Sequence, residues 1–127
     1  MKILLIDDSK VMRAACEPAL TRAGHQVITA ADGEHGLQLV RDARPDVVLL
    51  DMMLPKMSGL DLLQALKQDP AIAHIPVIVF TSLSQKNEAK LIKAGAAGYL
   101  EKTELLANNS TGLTQAIEKA LKKSAAS

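Results

Sequence analysis

Two carboxylates, Asp7 and Asp8, directly follow the apolar run Ile3-Leu4-Leu5-Ile6, and a third, Asp51, directly follows Val47-Val48-Leu49-Leu50. A hydroxyl, Thr81, follows the run Val77-Ile78-Val79-Phe80, and an amine, Lys102, comes just after Gly98-Tyr99-Leu100. In an open α/β sheet, ligands bind in the crevice outside the carboxyl ends of the strands. If the apolar runs are strands of such a sheet, all five polar groups land on that one rim. Carboxylates crowded there repel one another, and burial penalises their charged form. A divalent cation relieves both. Magnesium takes oxygen ligands, often one or two carboxylates with waters and phosphate oxygens, so the pattern suits the handling of a phosphoryl group. A carboxylate can attack phosphorus to form an aspartyl phosphate. A nearby lysine and hydroxyl can then hold the phosphoryl oxygens as charge develops.

Taken singly, each residue has a plainer reading. Asp7 and Asp8 could cap a following helix and favour its positive end. Asp51 could be a turn residue, Thr81 a strand-end hydroxyl or helix cap, and Lys102 a solvated charge. Cys16 sits on an apolar stripe and reads as core. His25, His35 and His74 share no metal-ligand spacing. The coincidence of five positions carries the functional reading.

The elements that must position these groups are visible as alternating patterns. The apolar runs, with Val27-Ile28-Thr29 as one more, are short and bounded by turn residues. The strongest lack in-out alternation, as parallel strands covered on both faces do. Between them, Met12, Ala15, Cys16, Ala19, Leu20 and Ala23 form one helical stripe, with Gly24 as its stop. Pro18 falls inside that helix and is expected to leave the Ala14 carbonyl unpaired and to kink the helix, at about 3 kcal/mol. A second helix is expected at Gly33 to Ala43. Ser58 caps a third, with Leu60, Leu63 and Leu66 facing inward. Ala89, Ile92 and Lys93 before Gly95 fit a fourth, and Leu113, Ile117, Ala120 and Leu121 a last. Strand and helix alternate five times, which predicts an α/β fold, a five-stranded parallel sheet with helices on both faces.

A chain of 127 residues holds one domain, and 48% hydrophobic with 23% charged residues is ordinary globular composition. Fifteen Lys+Arg against fourteen Asp+Glu leave a net charge of +1, so no global field draws the chain to nucleic acid. One cysteine cannot form an internal disulfide, which favours a reducing compartment. The first apolar run is too short for a signal peptide or a membrane span, and a cytoplasmic location is expected.

Together, Asp7-Asp8-Ser9, the segment Val48 to Gly59 around Asp51, Phe80-Thr81-Ser82, and Gly95 to Lys102 resemble a response-regulator receiver domain. The resemblance spans Met1 to Lys123 and implies a receiver domain over 1–123 with a short tail over 124–127. It implies the flavodoxin-like strand order 2-1-3-4-5 and a single-domain signalling module rather than an enzyme. Asp51 would be the phosphoacceptor for a histidine kinase or phosphotransfer protein. Asp7, Asp8, Asp51 and the backbone carbonyl of Met53 would hold Mg²⁺, with Lys102 pairing with the phosphoryl oxygens. Thr81 and Tyr99 would form the switch, altering a surface of the fourth helix, fifth strand and fifth helix around Gln85 to Leu105. A downstream protein of unspecified identity would read that surface, with the chain a monomer or weak dimer.

Three features depart from the family pattern. Thr103 follows Lys102 where the family carries proline after a cis bond; a cis bond before a non-proline residue costs about 2.5–4 kcal/mol, so a trans bond and a differently placed loop are admissible. Leu83, two residues past Thr81, is apolar and cannot orient an attacking water, which predicts a long-lived aspartyl phosphate. The stretch Glu104 to Gly112 is longer than usual and reads more readily as a surface insertion than as an extra partner contact. Two other functions fit less well. A phosphate-independent interaction module of the same fold would not need the five polar groups, and a phosphohydrolase would need a general acid that Met52 and Met53 do not supply.

Overall fold

Short runs of leucine and β-branched residues pair here because both faces of each central run are apolar and can be covered. This computed structural model describes residues 1–52, 54, 57–81, 92–101 and 117–118. The strands are β1 (Lys2–Ile6), β2 (Gln26–Ala30), β3 (Val47–Asp51), β4 (Val77–Thr81) and β5 (Gly98–Glu101). All pair in parallel, in the order β2-β1-β3-β4-β5, as the family resemblance implied. The helices α1 (Lys10–Arg22), α2 (Gly33–Ala43) and α3 (Gly59–Gln68) connect the first four strands.

Alternation along the central strands divides the core in two. Leu4, Ile6, Val48, Leu50, Val77 and Val79 face α2 and α3, packing with Val40, Leu62, Leu63 and Leu66. Ile3, Leu5, Val47, Leu49 and Ile78 face the other way, onto Met12, Cys16 and Leu20 of α1 and onto Ile117. Helices therefore cover both faces. Ile92, Lys93, Ile117 and Glu118 are helical where two further helices are expected. The remaining residues of those expected helices lie outside the described residues.

Local signals decide where the helices start and stop. Ser9, rather than either preceding aspartate, caps α1, its hydroxyl accepting from the Met12 amide at 3.2 Å. Gly24 closes α1 at φ 94°, a left-handed angle that glycine adopts without strain. Pro18 lies inside α1, which runs on to Arg22. Ala14 and Pro18 are both exposed, so water can serve the Ala14 carbonyl. The buried stripe of α1 is narrower than the sequence pattern, because only Met12, Cys16 and Leu20 reach the sheet. Asp32 caps α2 by accepting from the His35 amide at 2.8 Å, a role its sequence position did not suggest. Ser58 caps α3 as expected, and Leu62 joins Leu63 and Leu66 in the core, with Leu60 partly buried against it.

The segment after α3 is tied back to it by one cation. Lys67 Nζ donates to the carbonyls of Ala73 and Ile75, each at 3.0 Å, and burial of the ammonium holds its pKa below the ordinary 10.5. The folded chain therefore gives up this proton at lower pH than the unfolded chain, and stability from this group rises as pH climbs toward 10.5. In urea unfolding, wild type should gain stability relative to Lys67→Met over that climb. A pH-independent difference would contradict the assignment.

Candidate functional site

Strand register brings the acids together. Ile6 pairs with Leu50 across the β1–β3 ladder, so Asp7, one residue past β1, lies level with Asp51, the last residue of β3. Asp7 is 0% and Asp51 1% exposed, while Asp8 is exposed. One carboxylate oxygen from each of the three lies within 4.8 Å of the others. This is an oxygen-only donor set with two walls buried and one open, which matches what a hard divalent cation takes while keeping room for water and phosphate oxygens.

Asp7 is held firmly. Its amide donates to the Ala30 carbonyl of β2 at 3.0 Å, and its Oδ1 accepts from the Ser9 amide at 2.9 Å. Its carbonyl accepts from Nη1 of Arg13, one turn into α1, at 2.5 Å. Arg13 is thus a cation next to the acid pair that spacing alone did not single out. Its signal in the sequence was only a basic residue in the first turns of the helix that follows the acids. On the β3 side, Gly59 at the start of α3 donates its amide to the Met52 carbonyl at 3.1 Å, fixing the turn that leaves Asp51. Met57, later in that turn, packs against Gly33 at the start of α2, its Sδ 3.2 Å from where a β-carbon there would sit.

The other expected site residues stand differently. Thr81 ends β4 in register with Glu101, and Asp51 pairs with Phe80, so the Thr81 backbone lies one residue further along the same rim. Tyr99 lies within β5 in register with Val79. Lys102, the Met53 carbonyl, Leu83, Thr103, most of Gln85 to Leu105 and all of Glu104 to Gly112 fall outside the described residues. The geometry therefore unites Asp7, Asp8 and Asp51, with the Thr81 backbone at the same edge. Among the described residues, no helix is long and apolar enough to cross a membrane.

The family model for the response regulator receiver domain matches residues 3–123. The chain is 43% identical over 107 residues to the gliding motility regulatory protein of Myxococcus xanthus, covering 83% of this chain and 14% of that protein. It is 31% identical over 101 residues to the polar-differentiation response regulator DivK of Brucella anthropi, covering 79% of this chain and 82% of DivK. It thus spans only a small part of the first relative and most of the second. Among solved structures, a response regulator receiver domain from Clostridium thermocellum superposes with a TM-score of 0.81 at 33% identity, covering 96% of this chain and 94% of that one. The Mn(2+)-bound form of response regulator Rcp1 superposes with a TM-score of 0.75 at 26% identity, covering 86% of this chain and 88% of that one.

Three mutually close carboxylates give the metal-free site a repulsive cost that a bound cation removes. Mg²⁺ should therefore raise the melting temperature of the wild type. Asp8→Asn should melt higher than wild type without Mg²⁺ and lose most of the Mg²⁺-dependent rise. Equal Mg²⁺ responses in calorimetry would show that the cluster is not the binding site.

Proposed function

From the premise that the chain belongs to the response regulator receiver family, we propose that Asp51 accepts a phosphoryl group in a Mg²⁺-dependent reaction and that the modification switches a partner-binding surface. The observation that carries this is the meeting of Asp7, Asp8 and Asp51 within 4.8 Å at the end of a buried parallel sheet. The donor is a phosphohistidine on a histidine kinase or phosphotransfer protein. A carboxylate oxygen of Asp51 attacks phosphorus, and an oxygen–phosphorus bond forms as the bond to the imidazole nitrogen breaks. The nitrogen keeps that electron pair and takes up one proton. The product is an aspartyl phosphate and free histidine.

Burial of Asp51 keeps water from most of its surroundings, while the exposed Asp8 side leaves the donor a way in. Asp7, Asp8, Asp51 and the Met53 carbonyl would hold the ion, which when bound would supply positive charge against that shared by the acids and the incoming phosphoryl group. Lys102 pairs with the phosphoryl oxygens, and Thr81 donates its hydroxyl to them. The new group brings about −1.5 to −2 charges and strong acceptors, and it biases the loop after β4 between two arrangements. Tyr99 follows that change, and a downstream protein reads the surface of the fourth helix, β5 and the fifth helix. The chain works as a cytoplasmic signalling module whose chemistry is on itself, as a monomer or weak dimer.

Acetyl phosphate or beryllofluoride with Mg²⁺ should modify the wild type, read by intact mass or by amide chemical shifts, and Asp51→Asn should abolish the response. A wild type unmoved by either reagent would favour the phosphate-independent interaction module instead. Because Leu83 offers no polar group to align a water, the aspartyl phosphate should persist well beyond seconds at neutral pH. A phosphate-release assay showing loss within seconds contradicts that.

A further inference from the structure

We infer that Gly59 is a positioning residue for the phosphoacceptor. The inference rests on the reading of Asp51 given above and adds the element that sets its direction.

A β-carbon at Gly59 would stand 2.6 Å from the carbonyl oxygen of Asp51, 2.6 Å from Cα of Met52 and 3.1 Å from Met52 Sδ. The first two are backbone atoms of the acceptor itself and of the residue after it, which cannot rotate out of the way as a side chain can. The requirement is one of space. Only Gly24 and Gly95 adopt positive φ among the described glycines, so Gly59 has no need of glycine's backbone freedom. Gly36 makes an equally short approach, but it meets the tip of the Ile6 side chain, whose Cδ1 would lie 2.6 Å away. Among Gly24, Gly33, Gly36, Gly59 and Gly95, contact with the backbone of a site residue is therefore particular to Gly59.

Three further features aim that contact at the site. The Gly59 amide donates to the Met52 carbonyl at 3.1 Å, so the start of α3 holds the turn after Asp51 by a hydrogen bond as well as by fit. Ser58 caps the same turn of helix through the Asp61 amide at 3.2 Å, which fixes where Gly59 sits. Leu62 and Leu63 then anchor the first turns of α3 in the core, so the start of the helix is a stiff body pressed against the acceptor peptide. Because both short approaches are to backbone atoms, a methyl group at position 59 must displace the start of α3 and the Asp51–Met52 peptide relative to one another. The Asp51 carboxylate would then be presented at a changed angle to Asp7 and Asp8.

The test compares Gly59→Ala with Leu66→Ala, which weakens the anchoring of the same helix at its far end without touching the acceptor turn. Folded fraction is first established by circular dichroism. Mn²⁺ affinity is then measured by electron paramagnetic resonance, and the dependence of modification rate on acetyl phosphate concentration is measured at saturating Mg²⁺. Gly59→Ala should bind Mn²⁺ roughly 10- to 100-fold more weakly, the range seen when residues that orient metal ligands are lost. Its maximal modification rate should fall, while Leu66→Ala stays within about twofold of wild type in both readouts, as expected for a site whose ligand geometry is intact. If Gly59→Ala does not fold, Ser58→Ala serves in its place, because loss of the cap frees the same turn, and it should weaken Mn²⁺ binding by a smaller factor. Equal affinities for wild type and the position-58 or position-59 variant overturn the inference while leaving the acceptor role of Asp51 standing. A wild type that binds no Mn²⁺ and takes no phosphoryl group overturns the acceptor reading, and the positioning role falls with it.

Discussion

Mutual repulsion among Asp7, Asp8 and Asp51 is the constraint on which the rest of the molecule depends. Like charges at such separations destabilise a fold unless something holds them, and here that something is the apolar sheet behind them. The β1–β3 ladder runs through Ile3, Leu4, Leu5 and Ile6 against Val47, Val48, Leu49 and Leu50, all of them buried. Because side chains alternate along a strand, a slip of one residue would turn both core faces inside out, so the register is fixed by burial on two sides at once. The acids are brought level as a by-product of that fixed register. Stability is thus invested in the sheet and function placed at its end, where the geometry is least free to relax.

Much of this was legible in the sequence, and the reasons differ by element. The central strands were visible because apolar residues on both faces leave a continuous run with nothing helical in its spacing. Asp7 and Asp51 could be placed on one rim because each directly follows or ends such a run. Ser58 announced α3 by standing before a leucine-rich helical pattern. The cap of α1 could not be read from Asp7, Asp8 and Ser9, since both residue types cap helices and only the path of the chain decides which one faces the open amides. In the structure Asp7 is turned toward the acid pocket, and the cap passes to Ser9.

The misreadings share a cause. Leu60 was expected inside and is only partly buried against the core, while Leu62 is fully buried beside Leu63 and Leu66, because packing against the sheet sets how deep each side chain sits. Asp32 caps α2 by accepting from the His35 amide, a role that shows only once the path of the chain into α2 is known. Arg13 and Gly59 are invisible for a related reason: a guanidinium on the Asp7 carbonyl and a missing side chain against the Asp51 carbonyl are facts of how the chain turns back on itself after each strand, which residue type and spacing do not show. Composition and spacing name the ligands, whereas the parts that aim them emerge from packing.

The separation in sequence between β1 and β3 has a consequence for how the protein comes into being. The acidic cluster does not exist in any local stretch of chain, since its members are drawn from segments divided by a complete helix–strand–helix excursion. A nascent or partly assembled chain carries the same aspartates with no pocket between them. The three-acid pocket therefore exists only where the long-range β1–β3 pairing has formed.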